Sequence, residues 1–198
     1  VADRFRYGKE YDAENNSYPV GTYIQSKKQR SMEGELKAIL ALCRNSTTIM
    51  GADWRKDWLT ATTGNIQQHA YTLATYAQHE HKVAVGHGFA TATFGLRYTR
   101  HQTFGHRLTP KASLMYALGP VNLRATYSAG FRAPGLDEVY YRYFSVNRGK
   151  AQIIFGNQDL KPEKSHYLSL NAEYRTKAVA FSVTGYLNRI SDMVIRHD

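Results

Sequence analysis

The 198-residue sequence has one cysteine, five prolines, two tryptophans and no apolar run of about 18 residues. Because Cys43 has no partner in the chain, a disulfide-stabilised scaffold is excluded, and we interpret Cys43 as a small apolar filler. The missing apolar run excludes a transmembrane helix. The chain starts at Val1 without an apolar leader segment, so we expect either a removed leader or a piece of a larger protein.

Motifs of enzymatic chemistry are also missing. There is no Gly-x-Ser-x-Gly, no glycine-rich phosphate loop and no His-Glu-x-x-His. Asp53 and Asp57 could form a carboxylate pair, but on a strand they would share the polar face with Arg55. We interpret these carboxylates as solvated residues of the polar face, and we expect that the protein is not an enzyme.

The chain has an excess of positive charge. Lysine and arginine number 26 against 16 acidic residues, a formal charge of +10, which favours a polyanionic partner such as nucleic acid, acidic lipid or lipopolysaccharide. The alternative is dispersed surface charge. Because neither zinc-finger spacing nor an aromatic RNA-binding signature occurs, we expect no nucleic-acid partner.

The dominant hydrophobic period is two. Residues 121–129, 168–174 and 90–98 alternate apolar and polar side chains, which predicts strands with one apolar and one polar face. Strands are expected near 33–43, 47–58, 70–81, 88–101, 109–118, 121–131, 165–175 and 178–190, and an earlier strand is expected near 20–29.

The connections between these strands fall into two kinds. Short ones are predicted at 45–46, 83–86, 119–120 and 176–177, and long ones at 59–69, 102–108 and 132–164. Short turns alternating with long loops are typical of an up-and-down outer-membrane barrel. Aromatic residues expected near strand ends on the apolar face support it: Tyr98, Tyr127, Tyr174, Trp54 and Trp58. The alternatives are a soluble β-sheet binding module with a basic face and a small closed eight-stranded barrel.

Two boxes carry a family resemblance. Residues 127–140 read Tyr-Ser-Ala-Gly-Phe-Arg-Ala-Pro-Gly-Leu-Asp-Glu-Val-Tyr, and residues 156–165 read Gly-Asn-Gln-Asp-Leu-Lys-Pro-Glu-Lys-Ser. The first resembles the Gly-Phe-Arg-Ala-Pro box of TonB-dependent outer-membrane receptors. The second resembles their Asn-Pro-Asp-Leu-x-Pro-Glu box, with Gln158 where proline is usual. Upstream stretches match the same barrel pattern in order, so the resemblance runs from residue 47 to the end.

The resemblance implies an all-β antiparallel meander that forms part of a plugged transmembrane barrel of about 22 strands. Residues 1–198 would be a partial barrel domain of about eight or nine strands, without the plug and the closing strands. The implied function is that of an energy-coupled receptor in the bacterial outer membrane. It would import a scarce nutrient: an iron–siderophore, haem, cobalamin or a glycan.

The resemblance also implies the partners. They are the nutrient, outer-membrane lipid and lipopolysaccharide, and the TonB energy-coupling complex, which would act through a plug outside this chain. No resident cofactor is implied.

The box residues are interpreted as architectural, because proline cannot donate to a strand ladder and fixes the backbone where a strand ends or begins. They would bracket one long extracellular loop, residues 132–164. The box residues are Phe131, Arg132, Ala133, Pro134, Asn157, Asp159, Leu160, Pro162 and Glu163.

This loop is rich in tyrosine and arginine, which suit the capture of a flat or anionic ligand. The alternative is a loop that packs on its own aromatics and on lipopolysaccharide. The predicted ligand contacts are Arg132, Tyr140, Tyr141, Arg142, Tyr143 and Arg148.

Histidines form a second candidate site. His69 and His101 are expected at the long-loop end of adjacent strands with His106 beyond, which indicates a haem or metal-chelate site, although a one-residue slip would separate their faces. Residues 131–160 contain no histidine, which disfavours haem. The pair His79 and His81 could also bind a metal, but it is expected at the tight-turn end, away from ligand entry. No firm metal site is predicted.

Overall fold

The computed structural model describes residues 2–10, 23–62, 65–147 and 150–195. This described part contains eleven strands and one short helix. They are β1 (Ala2–Glu10), β2 (Tyr23–Cys43), β3 (Ser46–Ala61), β4 (Ile66–Val85), β5 (Gly88–His101), β6 (Gly105–Leu118), β7 (Val121–Arg132), α1 (Leu136–Tyr140), β8 (Arg142–Asn147), β9 (Lys150–Phe155), β10 (Glu163–Arg175) and β11 (Ala180–Ser191).

Nine strands form one sheet in the order β1-β2-β3-β4-β5-β6-β7-β10-β11. The strands follow their order in the sequence, and β8 and β9 form a separate antiparallel hairpin between β7 and β10. The all-β up-and-down meander is therefore confirmed. The strands predicted near 121–131 and 165–175 are β7 and β10, which pair directly.

The described residues belong to two compact units. One comprises segments from 1–34, 54–72 and 134–160, and the other comprises segments from 35–53, 73–133 and 161–198. No helix in the described part of the chain is long and apolar enough to cross a membrane.

In the second unit, the alternation of the sequence separates the two faces of the sheet. On β5, Phe94 and Leu96 are 63% and 48% exposed, whereas Thr93 on the other face is 9% exposed. Strand pairing aligns the apolar positions of five strands into rows on one surface, the apolar face. Four rows are Leu118-Val121-Tyr174-Phe181, Tyr116-Leu123-Ala172-Val183, Leu114-Ala125-Leu170-Gly185 and Ala112-Tyr127-Leu168-Leu187.

The opposite surface, the polar face, carries rows such as Ser113-Thr126-Ser169. Asn171 lies on it and donates to the hydroxyl oxygens of Ser182 and Thr184 at 2.9 and 2.8 Å. An apolar face opposite a polar one is what a sheet between lipid and an aqueous lumen requires.

Two tight turns depend on left-handed glycines. Gly86 and Gly119 have φ of 58° and 54°, which other residues adopt only at a cost. The turn predicted at 119–120 is confirmed, since Leu118 pairs with Val121.

Several predicted boundaries are wrong. The strands near 20–29 and 33–43 are one strand, β2, whose first half pairs with the unpredicted β1. The two strands were predicted separately because the side-chain alternation is interrupted between them. The backbone hydrogen bonds between β1 and β2 do not depend on that alternation, so the strand continues. Trp54 and Tyr127 lie in mid-strand and not near strand ends, and Cys43 is exposed, so it is not a filler.

The connections predicted at 59–69 and 102–108 are short turns in the structure. Asn65, with φ of 47°, donates its N–H to the Thr62 carbonyl at 3.1 Å, so β4 starts at Ile66. The His101 Nδ1 accepts the N–H groups of Thr103 and Phe104 at 3.1 and 3.3 Å, which lets β6 start at Gly105. Among the described residues, the segment between β7 and β10 is the long connection.

Candidate ligand-binding region between β7 and β10

The two boxes meet where β7 ends and β10 begins. Arg132 and Glu163 are cross-strand partners, and the guanidinium lies 3.1 Å from the Glu163 carboxylate. The Glu163 side chain is 17% exposed, and its Oε1 also accepts the N–H of Val194 at 2.8 Å. Arg132, which was predicted as a ligand contact, therefore forms an ion pair that joins the end of β7 to the start of β10.

After Arg132 strand β7 ends, and the chain passes through the buried Pro134 into α1. The Glu138 carboxylate accepts the Gly135 N–H at 2.7 Å, which caps the helix. Val139 is 5% exposed and anchors this single turn. Residues 135–159, predicted only as loop, therefore contain a capped helix followed by the hairpin β8–β9.

The second box docks onto this helix through its backbone. Gly156 N–H donates to the Tyr141 carbonyl at 2.8 Å, and Asn157 N–H donates to the Glu138 carbonyl at 3.0 Å. A Cβ at Gly156 would lie 2.6 Å from the carbonyl carbon and oxygen of Val139, so this approach requires glycine. Asn157 Oδ1 then accepts the Asp159 N–H at 2.8 Å and turns the chain toward β10.

Lys27 of β2 holds the helix from another side, in a contact that we name the Lys27 clasp. Its ammonium lies 2.9 Å from the Asp137 carboxylate and 4.6 Å from the centre of the Tyr141 ring, and its side chain is 11% exposed. Burial raises the pKa of Asp137, but the hydrogen bond and charge of Lys27, together with hydrogen bonds from the Asp137 backbone and the Gln29 side chain, hold that pKa below its ordinary value. Tyr141, predicted as a ligand contact, is thus used in the clasp.

A cavity of about 590 Å³ opens beside α1, within the range of small-molecule sites. Among the described residues of its lining, Arg142 is the charged one and none is a carboxylate. The guanidinium of Arg142 lies 5.9 Å from the centre of the Phe155 ring. The lining residues are Asn65, Ile66, Gln67, Gln68, Val139, Tyr140, Arg142, Gly156 and Gln158.

Two of the six predicted ligand contacts, Tyr140 and Arg142, line this cavity. Tyr143 belongs to β8, but its side chain lies outside the described residues, and Arg148 lies wholly outside them. The sequence did not single out the amides Gln67, Gln68 and Gln158, which no local pattern marks as ligand contacts. Lys27 was missed because the basic run 27–30 in which it lies could equally be solvated.

The predicted histidine site has the following geometry. The His101 Nδ1 is taken by two backbone N–H groups, and the ring of His106 stacks on Tyr98 at 6.0 Å. His69 is exposed on β4. Within the described part of the chain, no cluster of three or more histidine, cysteine or acidic residues could hold a metal ion.

The pair His79 and His81 lies near the turn between β2 and β3. The Nδ1 atoms of the two rings lie 2.8 Å from the Thr48 hydroxyl and 2.5 Å from the Ser46 hydroxyl. The rings stack with their centres 6.4 Å apart. Each ring therefore already uses one nitrogen within the sheet.

An up-and-down sheet with one apolar and one polar face is the structure of part of the wall of an outer-membrane β-barrel. The chain matches the family described as TonB dependent receptor-like, beta-barrel, over residues 2–198. It therefore belongs to this family, and the resemblance in its two boxes is confirmed. The family lies in the bacterial outer membrane and consists of transport receptors, not enzymes.

Similar proteins include iron-related receptors. The chain is 35% identical over 106 residues to the iron-regulated outer membrane virulence protein of Vibrio cholerae serotype O1, covering 52% of this chain and 16% of that protein. It is 23% identical over 196 residues to the ferric enterobactin receptor of Pseudomonas aeruginosa, covering 85% of this chain and 26% of that protein.

The fold is also that of a solved receptor. The siderophore receptor PirA from Pseudomonas aeruginosa superposes with a TM-score of 0.71 at 22% identity, over 83% of this chain and 32% of that chain. The chain thus spans about a third or less of the length of each of these relatives.

Proposed function

We propose that this chain forms part of the wall of an energy-coupled receptor that imports an iron–siderophore, and that the cavity beside α1 takes part in ligand capture. The similarity to an iron-regulated outer-membrane protein, a ferric enterobactin receptor and a siderophore receptor supports an iron–siderophore over haem, cobalamin or a glycan. The segment between β7 and β10 is the extracellular side in this proposal. Energy comes from the TonB complex through parts of the receptor outside this chain, and the apolar face contacts outer-membrane lipid.

The observation that carries the proposal is the chemistry of the cavity. Arg142 supplies positive charge, Tyr140 supplies an aromatic ring, and Gln67, Gln68 and Gln158 supply amides. A ferric siderophore complex presents anionic oxygens and flat organic groups, which arginine and tyrosine bind well. Because the described part of the lining contains no carboxylate, no described residue of the cavity repels an anionic ligand.

The test is uptake of ferric enterobactin, labelled with radioactive iron, by cells that carry the full-length receptor. Tyr140→Ala with Arg142→Ala should lower uptake at least tenfold, since each truncation at a central contact costs on the order of 1–2 kcal/mol. His79→Ala with His81→Ala, near the turn between β2 and β3, should leave uptake nearly unchanged. Tyr141→Ala is assayed separately, because Tyr141 belongs to the Lys27 clasp.

Haem uptake is measured with the same variants. If the His79 and His81 variants lose ferric enterobactin uptake while the Tyr140 and Arg142 variants keep it, the orientation proposed for the sheet is wrong. If the receptor imports haem and not ferric enterobactin, the proposed nutrient is wrong.

A further inference from the structure

We propose that His79 and His81, here named the histidine pair, bind a divalent transition-metal ion and hold Cu²⁺ most tightly. Each ring supplies one nitrogen to the metal, and a hydroxyl group of β3 orients each ring. Neither residue lines the cavity beside α1, so the metal site is distinct from the proposed nutrient site.

The alternation of β4 places both imidazoles on one surface of the sheet. Side chains two residues apart on a strand point to the same face. Glu80, which stands between them, lies on the polar face, where its carboxylate accepts a hydrogen bond from the Thr93 hydroxyl at 3.5 Å. The histidine pair therefore lies on the apolar face, and both side chains are exposed. Because β4 ends at Val85, four residues beyond His81, the pair lies near the turn that follows β4.

Two hydroxyl groups hold the rings in the orientation that metal ligands need. The Nδ1 of His79 lies 2.8 Å from the Thr48 hydroxyl oxygen, and the Nδ1 of His81 lies 2.5 Å from the Ser46 hydroxyl oxygen. When Nδ1 carries the ring proton, it donates to the hydroxyl oxygen and leaves the lone pair of Nε2 for a metal. Metal-binding histidines are oriented in this way by a partner of their second nitrogen.

The Nε2 atoms of the histidine pair are available for a ligand. Among the described residues, neither Nε2 has a hydrogen-bond partner. The neighbouring cation Lys82 lies on the polar face, with its ammonium 4.6 Å from the centre of the Phe89 ring, so its charge is directed away from the pair. Ionisable side chains on a lipid-facing surface are costly and mark functional sites.

The spacing of the two rings allows one metal ion to bind both. The rings are parallel to within 11°, and their centres lie 6.4 Å apart. A metal at about 2.0–2.1 Å from each nitrogen needs the two Nε2 atoms within about 4 Å of each other. The exposed rings reach this separation by leaning toward each other.

The donor set selects the metal. In the described part of the chain, no group of three or more histidine, cysteine or acidic residues could hold a metal ion, so water completes the coordination shell. Imidazole nitrogens suit copper, nickel and zinc, whereas Mg²⁺ prefers oxygen ligands. Because the affinity of a given site rises from Ni²⁺ to Cu²⁺ and falls again at Zn²⁺, we expect Cu²⁺ to bind more tightly than either.

The experiment measures the binding of one equivalent of Cu²⁺ to the purified full-length receptor in detergent by electron paramagnetic resonance. All proteins carry Cys43→Ser, because Cys43 is exposed and a thiolate binds and reduces copper. We expect a signal coupled to two imidazole nitrogens, and we expect His79→Ala with His81→Ala to abolish it. The matched control is His106→Ala with His166→Ala, which removes two exposed imidazoles from separate strands and should leave the signal unchanged.

Two variants of Thr48 test the role of the hydroxyl groups. Thr48→Val removes the hydroxyl that orients His79 but keeps the size of the side chain, and it should weaken Cu²⁺ binding about tenfold. Thr48→Ser keeps a hydroxyl and should retain the affinity of the parent protein.

Three results would overturn the proposal: equal Cu²⁺ binding with and without the histidine pair, a signal coupled to a single nitrogen, or tighter binding of Zn²⁺ than of Cu²⁺. Ferric enterobactin uptake should be unchanged when the histidine pair is replaced by alanine. Metal binding and nutrient import therefore have separate readouts, and failure of one does not imply failure of the other.

Discussion

At the scale of the residue, Gly156 decides whether the second box can lie on α1. The carbonyl carbon and oxygen of Val139 lie 2.6 Å from the position of an added Cβ, and Tyr140 N lies 2.8 Å from it. These atoms are backbone and cannot rotate away, unlike the end of a flexible side chain. A methyl group here must therefore move the 156–159 segment or the helix.

We expect Gly156→Ala to destabilise this contact by about 1–3 kcal/mol, the usual cost of overpacking. The measurement is limited proteolysis of the full-length receptor, with cleavage expected to increase within residues 133–162. Gly185→Ala is the control, because no atom lies within 4 Å of the position of its Cβ. Equal protease resistance of Gly156→Ala and the wild type would contradict this role of Gly156.

At the scale of the element, α1 is too short to be stable alone, since isolated helices below about 12 residues are marginal. It is held by the second box and by the Lys27 clasp, whose two charged residues are 110 positions apart in the chain. The Lys27 clasp should make the stability of α1 depend on pH. The pKa of Asp137 is held below its ordinary value of about 3.9, so its ionised form stabilises the folded segment.

The contribution of Asp137 is present above pH of about 4 and is lost as the pH falls through the lower folded pKa. We expect hydrogen exchange at residues 136–141, corrected for its intrinsic pH dependence, to rise about fivefold across that window. A fivefold rise in exchange corresponds to about 1 kcal/mol in the stability of the segment. This is the contribution expected from the ion pair when the partial exposure of the carboxylate is taken into account. Asp137→Asn should already exchange at the faster rate at neutral pH, and its exchange should not rise further as the pH is lowered.

Asp159→Asn is the control, because it removes an exposed carboxylate from the same segment without touching Lys27. Its pH profile should match that of the wild type. A step that persists in Asp137→Asn would assign the pH dependence to another group.

At the scale of the whole molecule, the apolar face is too large for a chain alone in water. Leu168, Leu170 and Leu187 are 48%, 63% and 67% exposed, and every residue of β11 is exposed. Among the described residues β11 pairs only with β10, so it presents an open strand edge. Exposed apolar area and open edges both favour association between chains.

We expect the isolated 198-residue chain to form oligomers or aggregates in aqueous buffer and to disperse in detergent, as measured by light scattering. Leu170→Lys with Leu187→Lys on the apolar face should reduce the association, whereas Ser169→Lys with Asn188→Lys on the polar face should not. A monodisperse monomer without detergent would contradict the assignment of the apolar face to lipid.

The sequence by itself determined the class of fold and the family. A two-residue period needs no information from distant residues, because successive side chains of a strand point to opposite faces. Strands β5, β7 and β10 were therefore predicted within two residues of their observed bounds. Pro134 and Pro162 likewise act on the local backbone, so both boxes could be placed from the sequence.

The tertiary structure decided which of these residues meet. Lys27 stands in a basic run that could equally be solvated, and only the position of α1 beside β2 pairs it with Asp137. The continuity of β2 comes from its pairing with β1, and the lining of the cavity comes from segments far apart in the chain. Contacts of this kind depend on strand register and on the path of the chain between strands, which no local pattern of residues encodes.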